Sequence, residues 1–251
     1  MSTVIDLPAA GYRFIKGVFQ YSSGVAALPG FKLVRARFHR PVELNEGFGL
    51  VESHLVRLGR PLAALCAFEI RSPAPFTETE FESFNRLYVG TLERWGLVCD
   101  GVNPVARTNV CPELAKPPGP SVYAFTYSIP DEGRGADSFV VAGSGEAPEG
   151  MGNYRDFAVR FGDTSSEGLR EKAQWVLGEM ERRMRLLGFG WADATATDLY
   201  CVHNVHPFLD LEIAARGAMA AGLDWHFARP PVQGLEYEMD VRRILQEQVI
   251  A

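Results

Sequence analysis

No stretch of this 251-residue sequence reaches the roughly 18 consecutive apolar residues that a bilayer-crossing helix requires. Its opening, MSTVIDLPAAGYRF, lacks the basic flank and apolar centre of a secretory signal. Both absences predict a cytoplasmic protein with no membrane partner. Excess positive charge is missing too, since the formal net charge is −6. Proteins that grip nucleic acid need a basic face to displace counterions from phosphates. The short basic patch MERRMRLLG falls on a patterned helix and reads as its solvated side, so no nucleic-acid partner is expected.

Cysteine and histidine are sparse. Cys66, Cys99, Cys111 and Cys201 stand far apart with no C-x-x-C, which argues for reduced, mostly buried thiols. His203 and His206, in HNVH, have one metal-like spacing but no second pair nearby, so no metal is expected and loop or core histidines are the reading. The glycines of GSGEAPEG are wrongly spaced for a dinucleotide fingerprint.

What the sequence does contain is order repeated across its two halves. In the second half, Phe139 to Ala142 reads as a strand broken at Gly143-Ser144-Gly145. SSEGLREKAQWVLGEMERRMRLLGFG follows as an amphipathic helix. Leu169, Ala173, Val176, Leu177, Met180, Met184 and Leu187 share one face, and Gly188 is the stop. ATATDLYCVHNV is a strand, HPFLDLEIAARGAMAAG a second helix ended by Gly222, and ARPPVQGLEYEMDVRRI extended.

In the first half, GYRFIKGVFQYSSGVA and FKLVRARFHRP read as two strands joined near Pro29-Gly30. A helix to Gly59, the apolar strand PLAALCAFEIRS, and a helix opened by a Thr77/Glu80 capping box follow. Phe81, Phe84, Tyr88, Leu92 and Trp95 line that helix's inner face, and ARTNVCPE and SVYAFTYSI are extended. Pro117, Pro118 and Pro120 interrupt the chain between the halves. This predicts an α+β chain of two tandem lobes, 1–128 and 129–251, each a sheet with two helices on one face. The strand at 121–129 could belong to either lobe. Both halves also carry an Ala-Arg phrase before an extended run, at Arg107 and Arg229.

These motifs resemble the Rid (YjgF/UK114-type) enamine/imine deaminases, taken as two tandem copies. In the first lobe QYSSGV is similar to the family's early segment and puts Tyr21 at its tyrosine position. FESFNRLY puts Asn85 at the asparagine position, and ARTNV puts Arg107 at the carboxylate-binding arginine position, with Asn109 in place of a cysteine. In the second, GSGEAP offers Ser144 at the serine position with Glu146 for glutamine, ARPPV offers Arg229, and LEYEMDV offers Glu238. Neither lobe holds the full set. The resemblance therefore implies a fold like the bacillus-type chorismate mutase, with composite clefts between lobes. The implied assembly is a homotrimer of two-lobe chains.

The chemistry implied is release of ammonia from an enamine or imine carboxylic acid. Arg107 and Arg229 would hold carboxylates through paired charge-assisted bonds. Glu238 or Glu146 would activate water, and Ser144 or Tyr21 would hold the nitrogen or relay a proton. No cofactor is required, because an imine is already reactive. Both arginines in one cleft would suit a diacid such as a 2-aminomuconate-type intermediate; separate clefts would suit small monocarboxylates. A chorismatase-like hydrolase and a non-catalytic metabolite-binding protein are the alternatives.

Overall fold

The computed structural model describes residues 3–133, 137–151 and 153–250. Three strands open the chain, β1 (Val4–Leu7), β2 (Tyr12–Ile15) and β3 (Gly24–Ala27). Then come β4 (Phe31–Glu43), α1 (Leu44–Arg57), β5 (Leu65–Arg71), α2 (Glu78–Arg94), β6 (Ala106–Pro112) and β7 (Ser121–Pro130). The second half runs β8 (Phe139–Gly145), a single turn α3 (Tyr154–Phe157), α4 (Ser166–Leu187), β9 (Ala196–Tyr200), β10 (Asp224–His226), β11 (Ala228–Arg229), β12 (Glu238–Arg243) and β13 (Glu247–Ile250).

Local chemistry accounts for the helices. At the start of α2 the Thr77 hydroxyl accepts the Glu80 N–H at 3.3 Å and the Glu80 carboxylate accepts the Thr77 N–H at 2.8 Å. This is the capping box read from the sequence. Helix α4 begins on Ser165, whose hydroxyl accepts the Gly168 N–H, and ends at Gly188 with φ +90°. A left-handed stop of that kind strains any residue bearing a Cβ. Its expected apolar face is buried throughout. The second helix expected over HPFLDLEIAARGAMAAG does not form as such: one helical turn at His206–Phe208 gives way to a π-helical stretch at Leu209–Ala214. The second half therefore has one long helix rather than two.

The strands form two mixed sheets. One has the order β11-β6-β5-β7-β4-β13 and the other β1-β2-β3-β8-β12-β9-β10. Within each lies the same four-strand order, β6-β5-β7-β4 in the first and β10-β9-β12-β8 in the second. The parallel and antiparallel pairings also match. The segments 1–128 and 129–251 nevertheless exchange strands. β3 pairs with β8 and carries β1 and β2 into the second sheet, while β11 and β13 join the first. The expected local pairing across Pro29-Gly30 is absent: β3 and β4 diverge into different sheets.

Two apolar cores lie on the outer faces, one under α1 and α2 and one under α4. A third joins the sheets to each other and is rich in small side chains, including Ala27, Cys66, Ala67, Ala106 and Ala142. Small residues let two backbones approach closely, and that approach builds the site. No helix among the described residues is long and apolar enough to cross a membrane.

Candidate active site

Where β6 of the first sheet lies against β8 and β12 of the second, a cavity of about 50 Å³ opens. Tyr21, Arg107, Asn109, Ser144 and Glu238 all line it, so the structure brings five of the eight sequence candidates into one cleft. The cleft is composite, with residues from both halves.

Arg107 is 3% exposed. Aromatic rings surround its guanidinium: Tyr88 at 4.9 Å, Tyr21 at 5.2 Å, Phe84 at 5.5 Å and Phe81 at 5.6 Å from ring centre to Cζ. Three of these rings come from the inner face of α2. Five arginines among the described residues are buried, namely 35, 71, 107, 183 and 242. Four of them reach a carboxylate, on Glu69, Glu149 or Asp198, and Arg107 does not. Its Nη1 is enclosed with no hydrogen-bond partner. Burial pulls this guanidinium below its ordinary pKa, and Tyr88, Tyr21, Tyr154 and Glu238 offset only part of that. A desolvated cation without a counter-ion is costly, and ring faces relieve the cost without occupying its N–H donors.

Glu238 opens β12 and is 3% exposed. Gly143 makes room for it: a Cβ there would stand 2.3 Å from Glu238 Oε1. Burial pushes the Glu238 carboxyl well above the usual range; Asp240 and Glu146 add to this, against Arg107 and Arg183. The group therefore favours its protonated, uncharged form.

The Ser144 hydroxyl accepts from Arg183 Nη2 at 3.2 Å and donates to the Gly145 carbonyl at 3.2 Å. Arg183 is fully buried on α4; it also donates to the Ala142 carbonyl and reaches Glu179 and Glu149. Asn109 Oδ1 accepts from the Ser72 hydroxyl at 2.9 Å, and Nδ2 stays unpaired.

Three candidates fall outside the cleft. Glu146, offered as a base, is wholly buried in an ion pair with Lys172 at 3.0 Å and accepts the Glu236 and Tyr237 N–H groups. Both its oxygens are thus engaged by protein donors outside the cleft. Arg229 does not mirror Arg107; it lies on β11, antiparallel to the end of β6, in ion pairs with Glu113 and Glu236. Asn85 is buried on α2 but faces an adjoining cavity, which shares Phe81 and Tyr154 with the cleft. Among the described residues no group of three or more His, Cys, Asp or Glu side chains could hold a metal.

The sequence reading missed Arg183, Glu149 and Tyr154. Arg183 sits in MERRMRLLG, taken as a solvated side. Its position next to Met184 and three residues after Met180 places it on the apolar face, and that spacing was the available signal.

A family model described as 2-aminomuconate deaminase CnbZ matches residues 4–248. A 2-amino-5-chloromuconate deaminase of Comamonas testosteroni is 53% identical over 251 residues, covering all of both chains. A chorismatase crystal structure aligns with a TM-score of 0.47 and 13% identity, over 96% of this chain and 78% of that one. The family model and the 53% identical relative correct the resemblance to the Rid family, which rested on short turn and strand-entry motifs. Such motifs recur wherever a chain turns or enters a strand, as the unlike surroundings of Arg107 and Arg229 illustrate.

Proposed function

Because this chain belongs to the 2-aminomuconate deaminase CnbZ family, we propose that it hydrolytically releases ammonia from a 2-aminomuconate-type diacid, with Arg107 as carboxylate anchor and Glu238 as acid. One observation carries the residue assignment. Arg107 is the buried arginine with no carboxylate partner among the described residues, and it shares its cavity with a carboxyl that favours its protonated state.

The amino group of such a substrate sits on a carbon–carbon double bond beside a carboxylate. Arg107 grips that carboxylate with two parallel N–H bonds, and Asn109 Nδ2 has a further donor to spare. Glu238 gives its proton to the carbon chain: the double-bond electrons form the new carbon–hydrogen bond, and the nitrogen lone pair closes the carbon–nitrogen bond to an iminium. Water then adds its oxygen to that carbon. One water proton restores Glu238, the other passes to nitrogen, and the carbon–nitrogen bond breaks to release ammonia and the oxo acid. Ser144 has one lone pair left for a substrate N–H. Arg229 takes no part, so the sequence criterion linking a diacid to two arginines in one cleft is set aside.

The test is ammonia release from freshly generated 2-aminomuconate and a panel of 2-imino acids. Arg107→Ala is expected to lower kcat/KM by roughly 100-fold or more, consistent with losing a charged partner. Arg229→Ala should stay within about twofold. Wild-type turnover by Arg107→Ala would sink the assignment.

A further inference from the structure

Directly beneath the cleft, the two sheets are tied at one carboxylate oxygen. The Thr108 hydroxyl on β6 donates to Asp240 Oδ2 on β12 at 2.7 Å, and the Tyr200 hydroxyl on β9 donates to the same oxygen at 3.0 Å. Thr108 Oγ1 also accepts the Gly143 N–H of β8 at 3.0 Å. All four residues lie in the buried zone between sheets or next to it. Three of them flank site residues in sequence: Thr108 follows Arg107, Gly143 precedes Ser144, and Asp240 stands two residues after Glu238 on the same strand face.

We propose that Thr108 and Asp240 are positioning residues, a cross-sheet tie that registers Arg107 on one sheet against Ser144 and Glu238 on the other. The proposal rests on the functional reading above and deepens it. Near the cleft the sheets meet through small side chains such as Ala67, Ala106 and Ala142, with the larger Tyr12 donating to the Leu65 carbonyl elsewhere in the seam, so the directional bonds beneath the cleft set the local offset there. The hydroxyl of Thr108 suits this place because one atom donates to β12 and accepts from β8. A shift of the order of an ångström between anchor and acid is enough to cost roughly 100-fold in rate.

The tie also bears on the acid itself. Asp240 is hemmed in by Asp198 and Tyr200 on β9, Glu69 on β5, Arg242 on its own strand and Thr108 on β6. Burial and the carboxylates of Asp198 and Glu69 push it up to about 8, against Arg242 and the Thr108 bond. Glu238 faces Asp240 on β12, Glu146 beyond β8, Arg107 on β6 and Arg183 on α4. Removing the Thr108 donor removes one support for the charged form of Asp240, and Glu238 senses Asp240 electrostatically.

The experiment compares Thr108→Val, Thr108→Ser and Tyr200→Phe with wild type. It reads kcat and KM on 2-aminomuconate, the pH profile, and the Glu238 titration by NMR of glutamate labelled at the side-chain carboxyl carbon. Thr108→Val should lose roughly 10- to 100-fold in kcat/KM and shift the Glu238 titration. Thr108→Ser should recover most of both, and Tyr200→Phe should fall between. If Thr108→Val fails to fold, Tyr200→Phe carries the same comparison. Folded Thr108→Val, or Tyr200→Phe in its place, with wild-type kinetics and an unmoved titration would overturn the tie. Wild-type activity in Glu238→Gln would instead overturn the functional reading, so the two failures are distinguishable.

Discussion

At the scale of single residues, the proposed reaction depends on Glu238 being a proton donor. Its raised pKa means activity should be level at lower pH and decline as pH rises through that raised value, with Glu238→Gln losing both the limb and nearly all turnover. A general base would give a rising limb instead, so a pH profile of kcat/KM decides between the roles. Stability carries the same sign. The folded chain holds this proton more tightly than the unfolded chain, so the contribution is complete below the ordinary glutamate value and drains as pH climbs to the raised one. Glu238 entered the sequence reading through the resemblance of LEYEMDV to an acidic final strand, while alternation alone put it on one face with Asp240 and left it open to solvent. The sequence reading offered it as a base; the proposed acid role follows from burial, which favours the protonated form and which the local sequence does not state. Arg183 was hidden for the opposite reason: a charge sign was taken as proof of exposure, although helical spacing said otherwise.

At the scale of elements, the junction of β8, α4 and β12 is clamped by Lys172 and Glu146, both fully buried. Burial pushes Glu146 up and Lys172 pulls it back only partway. Lys172 also donates to the Val159 carbonyl, while Glu146 receives two backbone N–H groups just before β12. Lys172→Met leaves a buried carboxylate without its cation and should cost about 3–5 kcal/mol in denaturant unfolding. Adding Glu146→Gln should return part of that loss; equal stability of Lys172→Met and wild type would refute the clamp. The legibility of elements divides along the same line as that of residues. α2 and α4 were readable because capping and a 3.6-residue period are local. The segment after His206 was not, since its apolar content suits a helix while its backbone widens into a π-helical stretch. The divergence of β3 from β4 was equally unreadable, because choice of sheet is decided by residues more than a hundred positions away.

At the scale of the whole molecule, the two halves share a strand order but not an independent existence. Strands β1–β3 complete the second sheet and β11 and β13 complete the first. Residues 1–128 and 129–251 produced as separate polypeptides should therefore each lack cooperative unfolding by circular dichroism, and regain it only when made together. A sharp transition for either fragment alone would contradict this. The repeat read along the chain, with two helices in each half, does not hold in the second half, and what is shared is the four-strand order of the sheets. The exchange could not be read from hydrophobic patterning, since every strand involved would also satisfy its pattern in the sheet of its own half. That residues of both halves line one cleft was expected only through the corrected family resemblance, in which neither half held the full set, and not from the residues themselves.

The strand β13, four residues at the very end of the described chain, lies parallel to β4, which begins at Phe31. A ribosome must therefore add more than two hundred residues after β4 begins before the first sheet can acquire this member. Until then the nascent polypeptide holds β4 with one edge unpaired, a bare row of amides and carbonyls of the kind chaperones and neighbouring chains find.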